Sequence, residues 1–231
     1  DTDSSSGGSS SRPNRVGNTS SKNDDEEDDD KENTETKQEE TQTQLPAVSY
    51  TDVPATEWYN GAVIYVTQMG MMSGNNGLFS PNAPFTRAMM AQILYNLEGK
   101  PAVTASAFPD VPETEWYASA VAWASAQQLM SGYSNGNFGP NDPITREQLA
   151  SILFRYSQVK GYDVTATADI AVYSDAANTS DWAEASIRWA VATRLLSGKT
   201  GVAGTRLDPT GTATRAEVAQ ILMNFGKNIA K

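Results

Sequence analysis

One pattern is written three times along this chain of 231 residues. Its first copy reads Tyr50-Thr51-Asp52-Val53, Trp58-Tyr59, Met72-Ser73-Gly74 and Phe85-Thr86-Arg87. The second reads Phe108-Pro109-Asp110-Val111, Trp116-Tyr117, Met130-Ser131-Gly132 and Ile144-Thr145-Arg146. The third is Tyr173-Ser174-Asp175-Ala176, Trp182-Ala183, Leu196-Ser197-Gly198 and Ala213-Thr214-Arg215. The Asp, Trp, Gly and Arg of the first copy recur 58, 58, 58 and 59 positions later, then after a further 65, 66, 66 and 69. A unit of about 60 residues buries too little apolar surface to stand firmly alone, so the copies must pack on one another. Any site built from one copy is also repeated.

The copies fill Tyr50 to Phe225, and the chain before them is of a different kind. Residues 1–46 open Ser/Gly-rich, run through Asp24-Asp25-Glu26-Glu27-Asp28-Asp29-Asp30, and hold only Val16 as an apolar residue before Leu45. Such a segment cannot form a core and is expected to be a disordered, self-repelling linker with a reach of roughly 35–40 Å. It carries 13 acids and 5 bases, a net of −8, of the −11 of the whole chain. The remaining −3 belongs to the repeats, so the acidity says little about what they bind. The expected division is a linker over 1–46 and repeats over 47–104, 105–168 and 169–231. Because the chain opens on linker sequence with no signal peptide, it reads as a C-terminal piece of something longer.

Cysteine and histidine are both absent. Disulfides, thiolate and histidine metal sites, Ser-His-Asp triads and histidine acid–base chemistry are excluded together. No apolar run is long enough to span a bilayer. The oxygen-rich loop Asn135–Asp142 lacks the acidic spacing and distant Glu of a calcium loop, so neither metal nor cofactor is expected. A glycosidase needs two carboxylates facing one bond. Asp110 with Glu147 could be imagined as such a pair, but nothing singles it out and Ala stands in place of Glu147 in both other copies, so no catalytic residue is expected.

Each copy should build two helices. The Ala-rich stretch Trp116–Leu129 places Tyr117, Ala120, Val121 and Ala124 on one face, and Gly132 stands where a helix would end. A turn-rich loop follows. Thr145 with Gln148 then forms a capping box at the start of a second helix, and Ile144 can staple onto Leu149. That helix aligns Leu149, Ile152, Leu153 and Tyr156, as Met90, Ile93, Leu94 and Leu97 align in the first copy and Val218, Ile221, Leu222 and Phe225 in the third. Three equal stripes suggest three equivalent helices facing one axis. The expected fold is mostly α and pseudo-threefold, with loops radiating outward and a short strand at Phe79 or Phe138.

The Phe/Tyr-x-Asp-Val opening, the Trp-Tyr pair, the Ser-Gly, the Gly-x-Phe-x-Pro loop and the Thr-Arg-Ala-Glu box together resemble the S-layer homology (SLH) domain. The resemblance implies a three-pronged fold with a central helical bundle. It also implies a monomeric pseudo-trimer outside the cell, held noncovalently to cell-wall polysaccharide, commonly a polymer ending in pyruvylated N-acetylmannosamine. No nucleic-acid partner is expected; the alternative reading is a surface-layer self-assembly or protein–protein interaction module, or direct peptidoglycan binding. Only the third copy keeps the box intact, as Thr214-Arg215-Ala216-Glu217. The second reads Thr145-Arg146-Glu147-Gln148, the first Thr86-Arg87-Ala88-Met89, and the third copy has a longer loop after Gly198 and lacks the aromatic after Trp182.

Arg87, Arg146 and Arg215 lead the candidate ligand residues, since guanidinium matches a carboxylate with two parallel donors. Free N–H groups on the first helical turn should also favour an anion. The alternative is an ion pair with Asp52, Asp110 or Asp175, which could also accept from sugar hydroxyls or cap turns. Trp58, Trp116 and Trp182 could stack on a sugar, although core packing with an exposed edge is the better reading, and Tyr59 and Tyr117 should face solvent. Gly74, Gly132 and Gly198 are expected to end helices first and admit ligand second, with Ser131 beside them as a possible donor. The second copy alone keeps the aromatic pair, short loop and capping partner, so Arg146 is expected to contribute most.

Overall fold

In the computed structural model the described residues are 48–104, 108–202 and 204–230. The acidic segment over 1–46 lies outside them. Among the described residues six α-helices alternate in role: α1 (Asn60–Gln68), α2 (Arg87–Leu97), α3 (Ala118–Ala126), α4 (Arg146–Lys160), α5 (Glu184–Ala192) and α6 (Arg215–Asn228). The fold is mostly helical, and its strands are β1 (Lys199–Gly201) and β2 (Gly204–Arg206), an antiparallel pair.

The second helix of each copy starts where the capping chemistry places it. Thr86, Thr145 and Thr214 hold extended backbone, and each hydroxyl accepts from the N–H three residues on. Gln148 and Glu217 return the bond to the cap's own N–H and complete a box. Met89 has no acceptor oxygen to do so. Helix α4 outlasts α2 because Gly161, at φ 71°, is its first left-handed residue, whereas α2 already meets Gly99 at φ 72°.

The first helices end differently from expectation. Their left-handed residues are Gly70, Gln128 and Arg194, at φ 67°, 58° and 60°, and not the glycines four residues later. Gln and Arg carry no sequence signal for that conformation, which costs a non-glycine residue steric strain. Gly74, Gly132 and Gly198 are instead required by close approach. A Cβ on Gly132 would lie 2.5 Å from the Phe108 ring and 2.8 Å from the Asn137 carbonyl oxygen, and Tyr50 and Tyr173 crowd the other two in the same way. The aromatic that opens each copy thus packs on its own Ser-Gly.

The copies are joined in a closed ring. Phe85 N–H donates to the Ala213 carbonyl (3.0 Å), Ala213 N–H to Ile144 (3.0 Å) and Ile144 N–H to Phe85 (2.8 Å). All three residues are buried, so each closes one side of a hydrogen-bonded triangle from which α2, α4 and α6 depart. Helix packing follows the same rotation, with α2 against α3, α4 against α5, and α6 against α1. At the far ends Tyr156 donates to Glu98 (2.6 Å) and its ring lies 6.0 Å from that of Phe225, tying α4 to the other two second helices. Burying the four-residue stripes contributes about 1.5–3 kcal/mol per large side chain. Within those stripes Leu97 is the exception, being 38% exposed.

The expected strand at Phe79 or Phe138 does not form. Phe79 and Phe138 are buried loop residues, and the strands fall in the lengthened loop of the third copy, where the extra residues fold into the β1–β2 hairpin.

Candidate functional site

The rotation of the copies decides where every candidate residue lands. Arg87 does not serve its own copy. Its Nε donates to the Phe138 carbonyl (2.9 Å) and its Nη2 to the Ser131 carbonyl (2.6 Å), both in the second copy. Arg146 makes the equivalent bonds to Leu207 (3.0 Å) and Ser197 (2.7 Å) in the third. Arg215 closes the circle on Phe79 (2.8 Å) and Ser73 (2.8 Å) in the first. Guanidinium also stacks on rings, with Arg87 within 4.8 Å of Tyr133 and 4.7 Å of Phe138, and Arg215 within 4.6 Å of Phe79. Desolvation pulls all three guanidinium groups below their ordinary pKa. They remain charged, because that value starts so high.

The expected Arg–Asp ion pair is absent among the described residues. Asp52 accepts from the Phe79 and Ser80 N–H groups (2.8 and 2.7 Å), Asp110 from Phe138 and Gly139 (2.8 and 2.7 Å), and Asp175 from Leu207 and Asp208 (2.6 and 2.8 Å). Each carboxylate therefore clips the loop of its own copy, while the preceding copy's Arg grips the same loop by its carbonyls. Burial pushes Asp52 and Asp175 up, but the backbone N–H bonds outweigh it and hold both carboxyls below the ordinary range.

The helix starts are not anion sites either. Arg87 and Ala88 N–H donate to the Asp142 and Pro140 carbonyls, Arg146 and Glu147 to Gly211 and Pro209, and Arg215 and Ala216 to Ala83 and Pro81. With the third N–H held by the capping Thr, the donors that could have met an anion are used in joining the copies.

Trp58, Trp116 and Trp182 stand 61%, 59% and 56% exposed, whereas Tyr59 and Tyr117 are buried. This reverses the sequence reading. Tyr59 and Tyr117 are the N-cap residues of α1 and α3 and turn into the core, with the preceding Trp set edge-on outside. Tyr117 consequently lines none of the clefts described below. In the third copy Ala183 fills the same buried position, so the lost aromatic is a core residue and Trp182 keeps its place.

Three clefts result, each assembled from all three copies. The Arg87 cleft, about 310 Å³, is lined by Arg87 from copy one, Ser131, Gly132, Tyr133, Gln148, Ser151, Ile152 and Arg155 from copy two, and Trp182 from copy three. The Arg215 cleft, about 230 Å³, sets Arg215 and Trp116 against Ser73, Met89, Gln92 and Asn96. The Arg146 cleft, about 210 Å³, sets Arg146 and Trp58 against Ser197, Gly198, Lys199, Glu217, Gln220 and Asn224. The Ser-Gly of the second copy thus faces Arg87 and not Arg146, which corrects the pairing assumed from sequence. Arg146 instead shares its cleft with Glu217, and Lys199 bridges Glu217 (2.9 Å) and Asp208 (3.0 Å) there.

The clefts also hold residues the sequence reading missed. Gln92 and Asn96, Ser151 and Arg155, and Gln220 and Asn224 all lie five and nine positions after the helix-opening Arg. A polar pair at constant register beside each apolar stripe was the available signal. Glu147, considered for hydrolysis, is buried and accepts from the Ser180 N–H and hydroxyl, both at 3.0 Å. It holds the turn that carries Trp182.

The S-layer homology domain model matches residues 49–91, 107–150 and 172–219, more than half of the chain, and the chain belongs to that family. Among its relatives are the surface-layer 125 kDa protein of Lysinibacillus sphaericus, 32% identical over 73% of this chain and 14% of that protein. The S-layer protein of Bacillus thuringiensis subsp. finitimus is 30% identical over 79% and 22%. The cellulosome-anchoring protein of Acetivibrio thermocellus is 32% identical over 37% and 20%. The chain therefore spans about a fifth or less of the length of these relatives. A solved undecaheme cytochrome from the S-layer of Carboxydothermus ferrireducens matches 80% of this chain and 26% of its own, at 22% identity and a TM-score of 0.34. Family membership makes this an extracellular, cell-surface anchoring chain. No helix among the described residues is long and apolar enough to cross a membrane.

Proposed function

We propose that the three repeats form a monomeric, three-pronged pseudo-trimer around a central helical bundle, and that its clefts bind cell-wall polysaccharide through an anionic sugar such as pyruvylated N-acetylmannosamine. The observation that carries this reading is the composition of the clefts. Each combines a guanidinium held in place by two backbone carbonyls, a row of helix side chains, and an indole that stands in solvent without need of it for packing. An aromatic face suits the apolar face of a hexose, and a pre-positioned guanidinium suits a carboxylate. In this reading the repeats over 47–104, 105–168 and 169–231 hold the protein they belong to on the wall, the acidic segment over 1–46 acts as a spacer, and no bond is made or broken.

Sedimentation with purified wall sacculi tests it. The chain should pellet with intact sacculi and stay in solution once mild acid has removed the attached polymer. Pelleting with both preparations would transfer the binding to peptidoglycan, and pelleting with neither would leave self-assembly as the better reading.

A further inference from the structure

The three clefts share a plan but not a chemistry. Five and nine residues after the Arg that opens the lining helix, the Arg215 cleft has Gln92 and Asn96, joined from Nε2 to Oδ1 at 2.7 Å. The Arg146 cleft has Gln220 and Asn224, joined in the same way at 3.0 Å. Two of the clefts therefore present an amide pair. At those registers the Arg87 cleft has Ser151 and Arg155. Ser151 turns inward to share a buried hydroxyl–hydroxyl bond of 2.7 Å with Ser186. Arg155 is exposed, with Nη1 on the Leu129 carbonyl at 3.3 Å.

Arg87 and Arg155 are thus seated on carbonyls two residues apart, Ser131 and Leu129, a separation of at most about 7 Å along even an extended chain. Among the described residues no carboxylate lines this cleft. Asp110 and Asp142 act on Arg87 from outside the lining, and both oxygens of Asp110 are already held by backbone N–H groups. The Arg146 cleft, by contrast, carries Glu217 and the Lys199 that neutralises it. Two guanidinium groups thus line the Arg87 cleft, and an anion entering it meets both as charged donors.

We propose that the Arg87 cleft is the anion-reading site of this chain, with Arg155 as its specificity-determining residue, and that the two amide clefts take neutral, hydroxyl- or amide-bearing stretches of the same polymer. The inference rests on the polysaccharide reading above and narrows it. Arg155 contributes charge from the exposed side, where it can follow the ligand. Arg87 is fixed by its backbone bonds and sets the position of the anion.

The test is calorimetric titration of the full chain with the methyl glycoside of N-acetylmannosamine, with and without a pyruvyl ketal bridging its 4- and 6-oxygens, at low and moderate salt. Arg155→Asn, which installs the side chain of the other two clefts, should weaken the ketal roughly tenfold or more. It should also flatten the salt dependence and leave the neutral glycoside unchanged. Arg155→Lys should restore part of the loss. Unchanged affinity and salt dependence for the ketal in Arg155→Asn would overturn the assignment while leaving polysaccharide binding standing. So would an equal loss in Gln220→Ala. Failure of the wild type to bind either glycoside would remove the polysaccharide reading and this one with it.

Discussion

Replacing Arg87 by Ala should be among the most destabilising single changes on the cleft walls. The side chain is buried, donates to the Phe138 and Ser131 carbonyls, and lies between the Tyr133 and Phe138 rings. Hydrogen bonds from a charged donor contribute about 1.5–3 kcal/mol each, and cation–π stacking about 0.5–2 kcal/mol. Against this, the variant no longer keeps a guanidinium out of water, which returns a part of the sum. The net loss is expected at about 3–5 kcal/mol. At roughly 2–4 °C per kcal/mol for a chain of this size, Tm should fall by roughly 6–20 °C. Differential scanning calorimetry of Arg87→Ala beside Arg155→Ala makes the comparison. Arg155 is exposed and holds one long bond, so its loss should cost under about 1 kcal/mol. Arg87→Lys should fall between, since one ammonium cannot span both carbonyls. A Tm change below about 2 °C for Arg87→Ala would refute the view that these backbone bonds join the first copy to the second.

Gly132→Ala should destabilise by about 1–3 kcal/mol, the usual cost of overpacking, because the new methyl meets the Phe108 ring and the Asn137 carbonyl; chemical denaturation would read it. Trp182→Ala should leave the denaturation midpoint within about 0.5–1 kcal/mol of wild type, as expected for an exposed side chain, yet lower binding to wall sacculi; a large loss of stability would return the residue to the core. Deleting residues 169–231 removes α6, the partner of α1, and opens the Phe85–Ile144–Ala213 triangle; the remaining chain should lose its cooperative thermal transition. Asp52 and Asp175 titrate below the ordinary carboxylate range in the fold, so the stability they contribute is complete above the unfolded value near pH 4 and is lost as pH falls through the lower folded values. Acid titration of Asp52→Asn and Asp175→Asn should accordingly show a shallower fall below pH 4 than wild type.

What the sequence determined by itself is what local patterning controls. The threefold repetition, the capping Thr residues with two complete boxes, the apolar stripes of the second helices apart from Leu97 and the family were legible, because a cap and a helix face depend on residues three or four apart. The role of Asp as a clip on a loop 27 to 33 residues downstream was not legible, since the sequence offered only an ion pair, a sugar contact or a cap on the adjoining turn. The longer loop of the third copy was visible too, although not its hairpin.

The tertiary structure decided which copy serves which. Three copies with one pattern are interchangeable in sequence, and nothing local says that Arg87 should grip Ser131 and Phe138 or that Arg215 should reach back to Ser73, 142 residues earlier. Closing the ring requires each helix start to be capped by the next copy's loop, and this consumes the N–H groups that sequence alone leaves open to an anion. The same closure explains the exchange of Trp and Tyr. Adjacent residues at a helix start point to opposite sides, and only the position of the neighbouring copy fixes which side is the core. The clefts, each drawn from all three copies, exist only once that neighbour is in place.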